Sequence, residues 1–149
     1  MPGDAPTDGT IVVGIDGSPA SRQALRWACY QAEITGGSVL ALSVREESAF
    51  LPGSEFALRQ RGSWRSDEAV RAALHRTVSL VSTSAPVRER VVSGQPADEL
   101  LAAAHDADLL VLGTDAHRGL SAVPLGGVAV ECVRRAVCPL VLVPAAPAR

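Results

Sequence analysis

The chain has no lysine. All 14 of its Lys/Arg positions are arginine, set against 16 carboxylates, and the formal net charge is −2. A Walker-type phosphate loop or a Schiff-base mechanism requires a lysine, so both are excluded within this sequence. The balanced charge also lacks the positive excess of a nucleic-acid or anionic-membrane binding surface, and neither partner is expected. Aromatic residues make up only 3% of the chain, which leaves Val, Leu, Ile and Ala to build the core. That scarcity also removes the stacking platform a single-stranded nucleic acid would need. Cys29, Cys132 and Cys138 are odd in number, have apolar neighbours and form no C-x-x-C pair. They read as small core residues in a reducing compartment and not as a disulfide framework. His75, His105 and His117 are scattered, and no metal site is expected. Met1 to Thr10 show neither a basic start nor an apolar run, so no signal peptide is read. No apolar stretch approaches the ~20 residues that span a bilayer. A soluble, cytoplasmic protein is the expectation.

What is present is a chain of 149 residues, 47% hydrophobic and 20% charged, the size and balance of one globular domain. A domain of this length buries roughly 70% of the surface its unfolded chain exposes and needs no staple. Thr10 to Ile15 is an apolar run rich in β-branched residues, the pattern of a strand buried on both faces of a parallel sheet. Asp16-Gly17-Ser18-Pro19 then turns the chain, with Ser18 as helix cap and Pro19 at the first helical position. Leu25, Ala28, Cys29 and Ala32 form one helical face, ended by Gly36-Gly37.

The alternation repeats. Strands are predicted at Ser38 to Val44, Val87 to Val92, Asp108 to Leu112 and Pro139 to Val143. Charged residues near the start of the Val87 strand mark it as an edge, and the last strand is read as another. A helix from Asp67 to Ser82 places Val70, Ala73, Leu74, Thr77 and Val81 on one side. Another opens at Gly94-Gln95-Pro96, with Asp98 and Glu99 in its first turn and Ala97, Leu100, Leu101 and Ala104 as its face. The last helix opens at Gly126-Gly127 and presents Ala129, Cys132, Val133 and Ala136. The stretch from Arg45 to Ser63 reads as a loop, either a lid or disordered. The organisation is therefore a lead over residues 1–9, an α/β domain over 10–144 and a tail over 145–149. Its architecture is a single doubly wound, five-stranded parallel sheet with helices on both faces.

In such sheets ligands bind beyond the carboxyl ends of the strands, where the strand order reverses. The candidate segments are Gly14 to Ser18, Val44 to about Glu47, and Gly113 to Val128. Asp16 follows the first strand, where a carboxylate can accept hydrogen bonds from an adenine amino group or a ribose hydroxyl. It can equally make an Asx turn that starts the helix. Gly113-Thr-Asp-Ala-His-Arg-Gly119 and Leu125-Gly126-Gly127-Val128 suit close approach of backbone amides to an anion, or simple turns. His117 and Arg118 can reach a phosphate, or face solvent. Ser18 and Ser121 lack readable His/Asp partners, and no paired carboxylates appear, so no enzyme activity is expected. A phosphoacceptor receiver would need an Asp at the third strand end, where Ser93 stands, and a late lysine. A flavodoxin-like carrier would need aromatics at the flavin, but Trp27 and Trp64 fall on helices or a helix edge.

Taken together, Asp16 after the first strand, Gly94-Gln-Pro-Ala-Asp-Glu-Leu100, Ala107-Asp-Leu-Leu-Val-Leu-Gly113, and Leu125-Gly126 followed by Val137-Cys-Pro-Leu-Val-Leu-Val143 resemble the universal stress protein family. The resemblance runs from Thr10 to Pro144. It implies the strand order 3-2-1-4-5, a homodimer joined through the last strand, and for many members ATP held between the first and fourth strands. ATP-binding members carry G-x-x-G, nine residues, then G followed by Ser or Thr. Here Gly113 and Gly126 match, but Ala116 stands for the second glycine and Gly127 for the hydroxyl residue. Ala129 occupies a further position where a hydroxyl is common. By the same resemblance Asp16 is the adenine-contacting acid and Val44 an adenine-pocket residue. The implied nucleotide set is Gly14, Ile15, Asp16, Val44, Leu112, Gly113, Asp115, Ala116, Gly126, Gly127 and Val128. Two readings follow: an ATP-binding sensor or adaptor with a weakened phosphate grip, and a nucleotide-free dimeric interaction module.

Overall fold

The computed structural model describes residues 9–47, 66–114 and 126–145. Strands and helices alternate along them: β1 (Thr10–Gly14), α1 (Pro19–Thr35), β2 (Ser38–Glu46), α2 (Asp67–Ser79), β3 (Val87–Gly94), α3 (Pro96–Ala104), β4 (Leu109–Thr114), α4 (Gly127–Arg135) and β5 (Leu140–Pro144). The strands form one five-stranded sheet in the order β3-β2-β1-β4-β5, and every pairing is parallel. This is the expected doubly wound fold, with β3 and β5 at the edges.

Alternation along the strands sends side chains to two cores. Ile11, Val13, Ile15, Val39, Ala41 and Val111 pack with Ala24, Leu25, Ala28, Cys29 and Ala32 of α1 and Leu74 of α2. Val12, Leu40, Leu42, Leu110 and Leu112 face the other way, onto Leu100 and Ala104 of α3 and Cys132 of α4. The central strands are therefore apolar on both sides, the condition that makes their sequences read as unbroken hydrophobic runs.

The caps explain where α1 begins and ends. Ser18 Oγ accepts the Ser21 amide at 3.1 Å, and Pro19 follows in the first turn. At the other end Gly36 adopts φ 76°, and the Gly37 amide reaches back to the Ala32 carbonyl at 2.9 Å. That six-to-one bond is the Schellman closure, which favours glycine at the left-handed position.

Several boundaries differ from those read in the sequence. α2 ends at Ser79 and not at Ser82: the Leu80 amide still makes the helical bond to the Arg76 carbonyl at 3.2 Å, but the Val81 amide bonds only three residues back, to the Val78 carbonyl at 3.1 Å, a tightened last turn that the helix does not outlast. Val81 lies outside the helix yet still packs on the core. β2 and β3 run on to Glu46 and Gly94, since their ladder continues through Val44↔Val92 to Glu46↔Gly94. In α4, Ala129 and Cys132 are buried as expected, but Val133 is 53% exposed and Ala136 only half-buried. Cys29 and Cys132 are buried, whereas Cys138 is half-buried. Burial pushes all three thiols above the ordinary cysteine value.

The turn after α2 is tied to α1 by Glu33, whose Oε1 accepts the Thr83 hydroxyl at 2.7 Å and the Ser84 amide at 2.9 Å. The Thr83 bond, then that of Ser84, holds the Glu33 carboxyl below the usual glutamate range. A carboxyl depressed in the folded state stabilises the fold above its unfolded-state pKa. That contribution is lost as pH falls through the folded value. Urea titrations at descending pH should therefore show the parent losing more stability below the ordinary glutamate range than Glu33→Gln does. Parallel losses would show that the Glu33 bonds add nothing.

Candidate functional site

β1 and β4 pair through Ile11↔Leu109, Val12↔Leu110 and Val13↔Val111, and then part. Beyond Val13, β1 stays with β2: Gly14 pairs with Leu42, and the Ile15 amide donates to the Leu42 carbonyl at 2.8 Å. Beyond Val111, β4 stays with β5, through Leu112↔Leu142, Gly113↔Val143 and Thr114↔Pro144. The β1–β4 ladder thus ends at the carboxyl end of the sheet where the strand order reverses, the place at which doubly wound sheets have their ligand crevice.

The two glycines beside this crevice are small for reasons of packing. A Cβ on Gly113 would collide with the backbone of Ala20 and Ser21 in the first turn of α1. A Cβ on Gly14 would lie 2.9 Å from Leu112 Cδ2 and 3.1 Å from Leu100 Cδ2, on the opposite face. The α1 start thus crosses the end of β4 on one side, and Leu100 and Leu112 close the other.

Asp16 is exposed at the mouth of the crevice. Its Oδ1 accepts the Ser18 amide at 2.9 Å, an Asx turn through Gly17 at φ 85°. Ile15 and Leu112 are buried, and Val44 is half-buried against the α3-side core. On the last helix, Gly126 is the N-cap with no side-chain hydrogen bond, and its carbonyl takes the first helical bond, from Val130 at 3.0 Å. The amides of Gly127, Val128 and Ala129 lie ahead of that bond, in the positions that helices leave without internal partners. Gly126, Gly127 and Val128 are exposed, and among the described residues a Cβ on either glycine meets nothing within 4 Å. Ala129 instead faces the core. Asp115, Ala116, His117 and Arg118 lie outside the described residues, as do Ser121, Trp64 and most of the predicted loop to Ser63.

One residue of this region escaped the sequence reading. Ser43 is 6% exposed, and its hydroxyl donates to the Ile15 carbonyl at 2.8 Å. The signal was a lone hydroxyl inside the apolar run Val39-Leu-Ala-Leu-Ser-Val44. A separate cavity of about 500 Å³ lies at the other end of the sheet. It is bounded by the end of α3 and the α4–β5 turn, with Asp98 and Arg135 bonded across it at 2.8 Å. None of the candidate residues lines it. Among the described residues no three His, Cys, Asp or Glu side chains gather as a metal site, and no helix is long and apolar enough to cross a membrane.

Residues 9–144 match the model of the universal stress protein family. The chain belongs to that family. It is 32% identical over 143 residues to a universal stress protein of Thermus aquaticus, covering 90% of this chain and 97% of the relative. To one of Methanocaldococcus jannaschii it is 30% identical over 141 residues, covering 89% and 80%. It spans about half the length, 46%, of a relative from Mycobacterium tuberculosis that is 29% identical over 140 residues, or 92% of this chain. Among solved structures, UspA of Lactobacillus plantarum superposes with a TM-score of 0.70 at 22% identity, covering 92% of this chain and 98% of that one. A universal stress protein in complex with cAMP superposes with a TM-score of 0.60 at 25% identity, covering 94% and 99%.

Proposed function

We propose that this universal stress protein binds an adenine nucleotide, with ATP as the candidate ligand, in the crevice between β1 and β4, and acts as a sensor or adaptor. The observation that carries the reading is the parting of the two strands after Val13 and Val111, with Asp16 at the mouth and Val44 one strand away. In this reading Asp16 meets the base through its carboxylate, and Val44, Ile15 and Leu112 supply the apolar wall. Gly14, Gly113, Asp115 and Ala116 border the ribose and phosphates, and the amides of Gly126, Gly127 and Val128, which lack intrahelical partners, face the phosphates. The cAMP complex of a family member of the same fold adds support. The test is calorimetric titration with ATP and magnesium, after checking for carried-over nucleotide by absorbance and mass. Micromolar binding is the expected result. Absence of heat from nucleotide-free protein would overturn it.

A specific observation favours a second reading, a nucleotide-free interaction module. Gly113 is accounted for by contact with α1, and neither Gly127 nor Ala129 offers a hydroxyl. Both readings include a homodimer. Leu140 to Val143 of the edge strand β5 are only half-buried, and Val133 and Val137 beside it are 53% and 72% exposed. An apolar edge of this kind invites pairing with a second strand. Light scattering at micromolar concentration should return twice the chain mass, and a monomer mass would remove the dimer from both readings.

A further inference from the structure

We infer that Ser43 is a positioning residue, whose buried hydroxyl sets the place of Asp16 at the mouth of the crevice. This rests on the adenine-nucleotide reading of that crevice and adds a determinant of base recognition to it. Three of the four buried polar side chains in the described residues belong to Ser21, Thr77 and Ser43 in clear bonds, and two of those bonds are local. Ser21 Oγ donates to the Ser18 carbonyl and Thr77 Oγ1 to the Ala73 carbonyl, within or beside their own helices. Ser43 reaches 28 positions back along the chain, to Ile15.

The place of that bond is informative. The β1–β2 ladder closes with the Ile15 amide on the Leu42 carbonyl, and the Ile15 carbonyl then accepts Ser43 Oγ. Asp16 follows at once, swings into solvent and is held by the Ser18 amide. The peptide that leads into Asp16 is therefore fixed on the β2 side by a side chain and not by the sheet. A hydroxyl between Leu42 and Val44 must shed its water to be buried, and only a satisfied bond offsets that cost. Alanine would fill the same strand position without it. The carboxylate needs a defined direction to accept from an amino group on a base, since hydrogen bonds weaken steeply off line. Ser43 supplies part of that direction from below.

The experiment is a double-mutant cycle on the full chain, read by ATP titration and by amide exchange. Ser43→Ala should weaken ATP binding about fivefold, the worth of one neutral hydrogen bond. In an Asp16→Ala background the same change should cost less than about twofold, because there is no carboxylate left to aim. Ser43→Thr, which keeps the hydroxyl, should restore most of the affinity. Equal losses in both backgrounds, or no loss in the parent, would overturn the inference and show Ser43 to be structural only. The ligand-free protein separates this from failure of the nucleotide reading. Ser43→Ala should speed hydrogen exchange at the Ser18 amide, which bonds Asp16, while leaving the amides of β4 unchanged. An unaltered Ser18 amide overturns the positioning role whether or not ATP binds.

Discussion

Gly113→Ala should destabilise the fold by about 3 kcal/mol or more, the upper range for forcing a methyl into filled space. The methyl would land on the peptide joining Ala20 to Ser21, and backbone cannot swing aside as a side-chain tip can. Relief requires α1 to lift from the end of β4, although Ala20, Ser21 and Ala24 are all buried there. For a domain near 150 residues this corresponds to a fall in melting temperature of roughly 6–12 °C. Gly14→Ala is the informative comparison. Its methyl meets only the ends of Leu112 and Leu100, so a loss of about 1 kcal/mol is expected. Gly126→Ala meets nothing among the described residues and should leave stability nearly unchanged. Urea denaturation of the three variants tests the ranking. A Gly113→Ala protein as stable as Gly126→Ala would mean that α1 does not rest on β4 at that point.

The same glycine shows where a sequence stops being readable. As a letter, Gly113 fits a phosphate loop, and its position after an apolar strand supports that. Nothing in the one-dimensional pattern says that the first turn of α1, more than ninety positions earlier, crosses the end of β4. Asp16 differs, because the Asx turn was legible in Asp-Gly-Ser-Pro as one of two readings, and that turn engages Oδ1 while leaving the second carboxylate oxygen for the other, a ligand. The strands were legible because burial on both faces demands continuous apolar runs, and the helix starts because Ser18 and Pro19 are local signals. Helix faces were less so. Val133 shares the apolar period of α4, but this nine-residue helix packs mainly on α3 and meets the sheet only at the edge strand β5, and Val133 is left exposed. The end of α2 was misread for a related reason, since Val81 keeps the helical spacing and a core contact after the backbone has already turned.

Gly127→Ser should strengthen ATP binding roughly tenfold to a hundredfold, the worth of one charge-assisted hydrogen bond to a phosphate. Among the described residues the new Cβ meets nothing, the residue is exposed, and the adjoining amides have no internal helical partner. Ala129 is not an equivalent site, because its methyl faces the core, where an added hydroxyl would need a buried partner. Serine at the start of α4 also restricts the unfolded chain more than glycine does, so the melting temperature should hold or rise slightly. Adding Ala116→Gly restores the family spacing of Gly113, position 116 and Gly126, and a further gain is expected from the double variant. Adenosine, which has no phosphate, should bind the parent and Gly127→Ser equally. A gain shared by adenosine would place the new hydroxyl at the sugar or base. If neither variant binds ATP more tightly than the parent, the altered phosphate cradle is not what limits binding, and the interaction-module reading takes precedence.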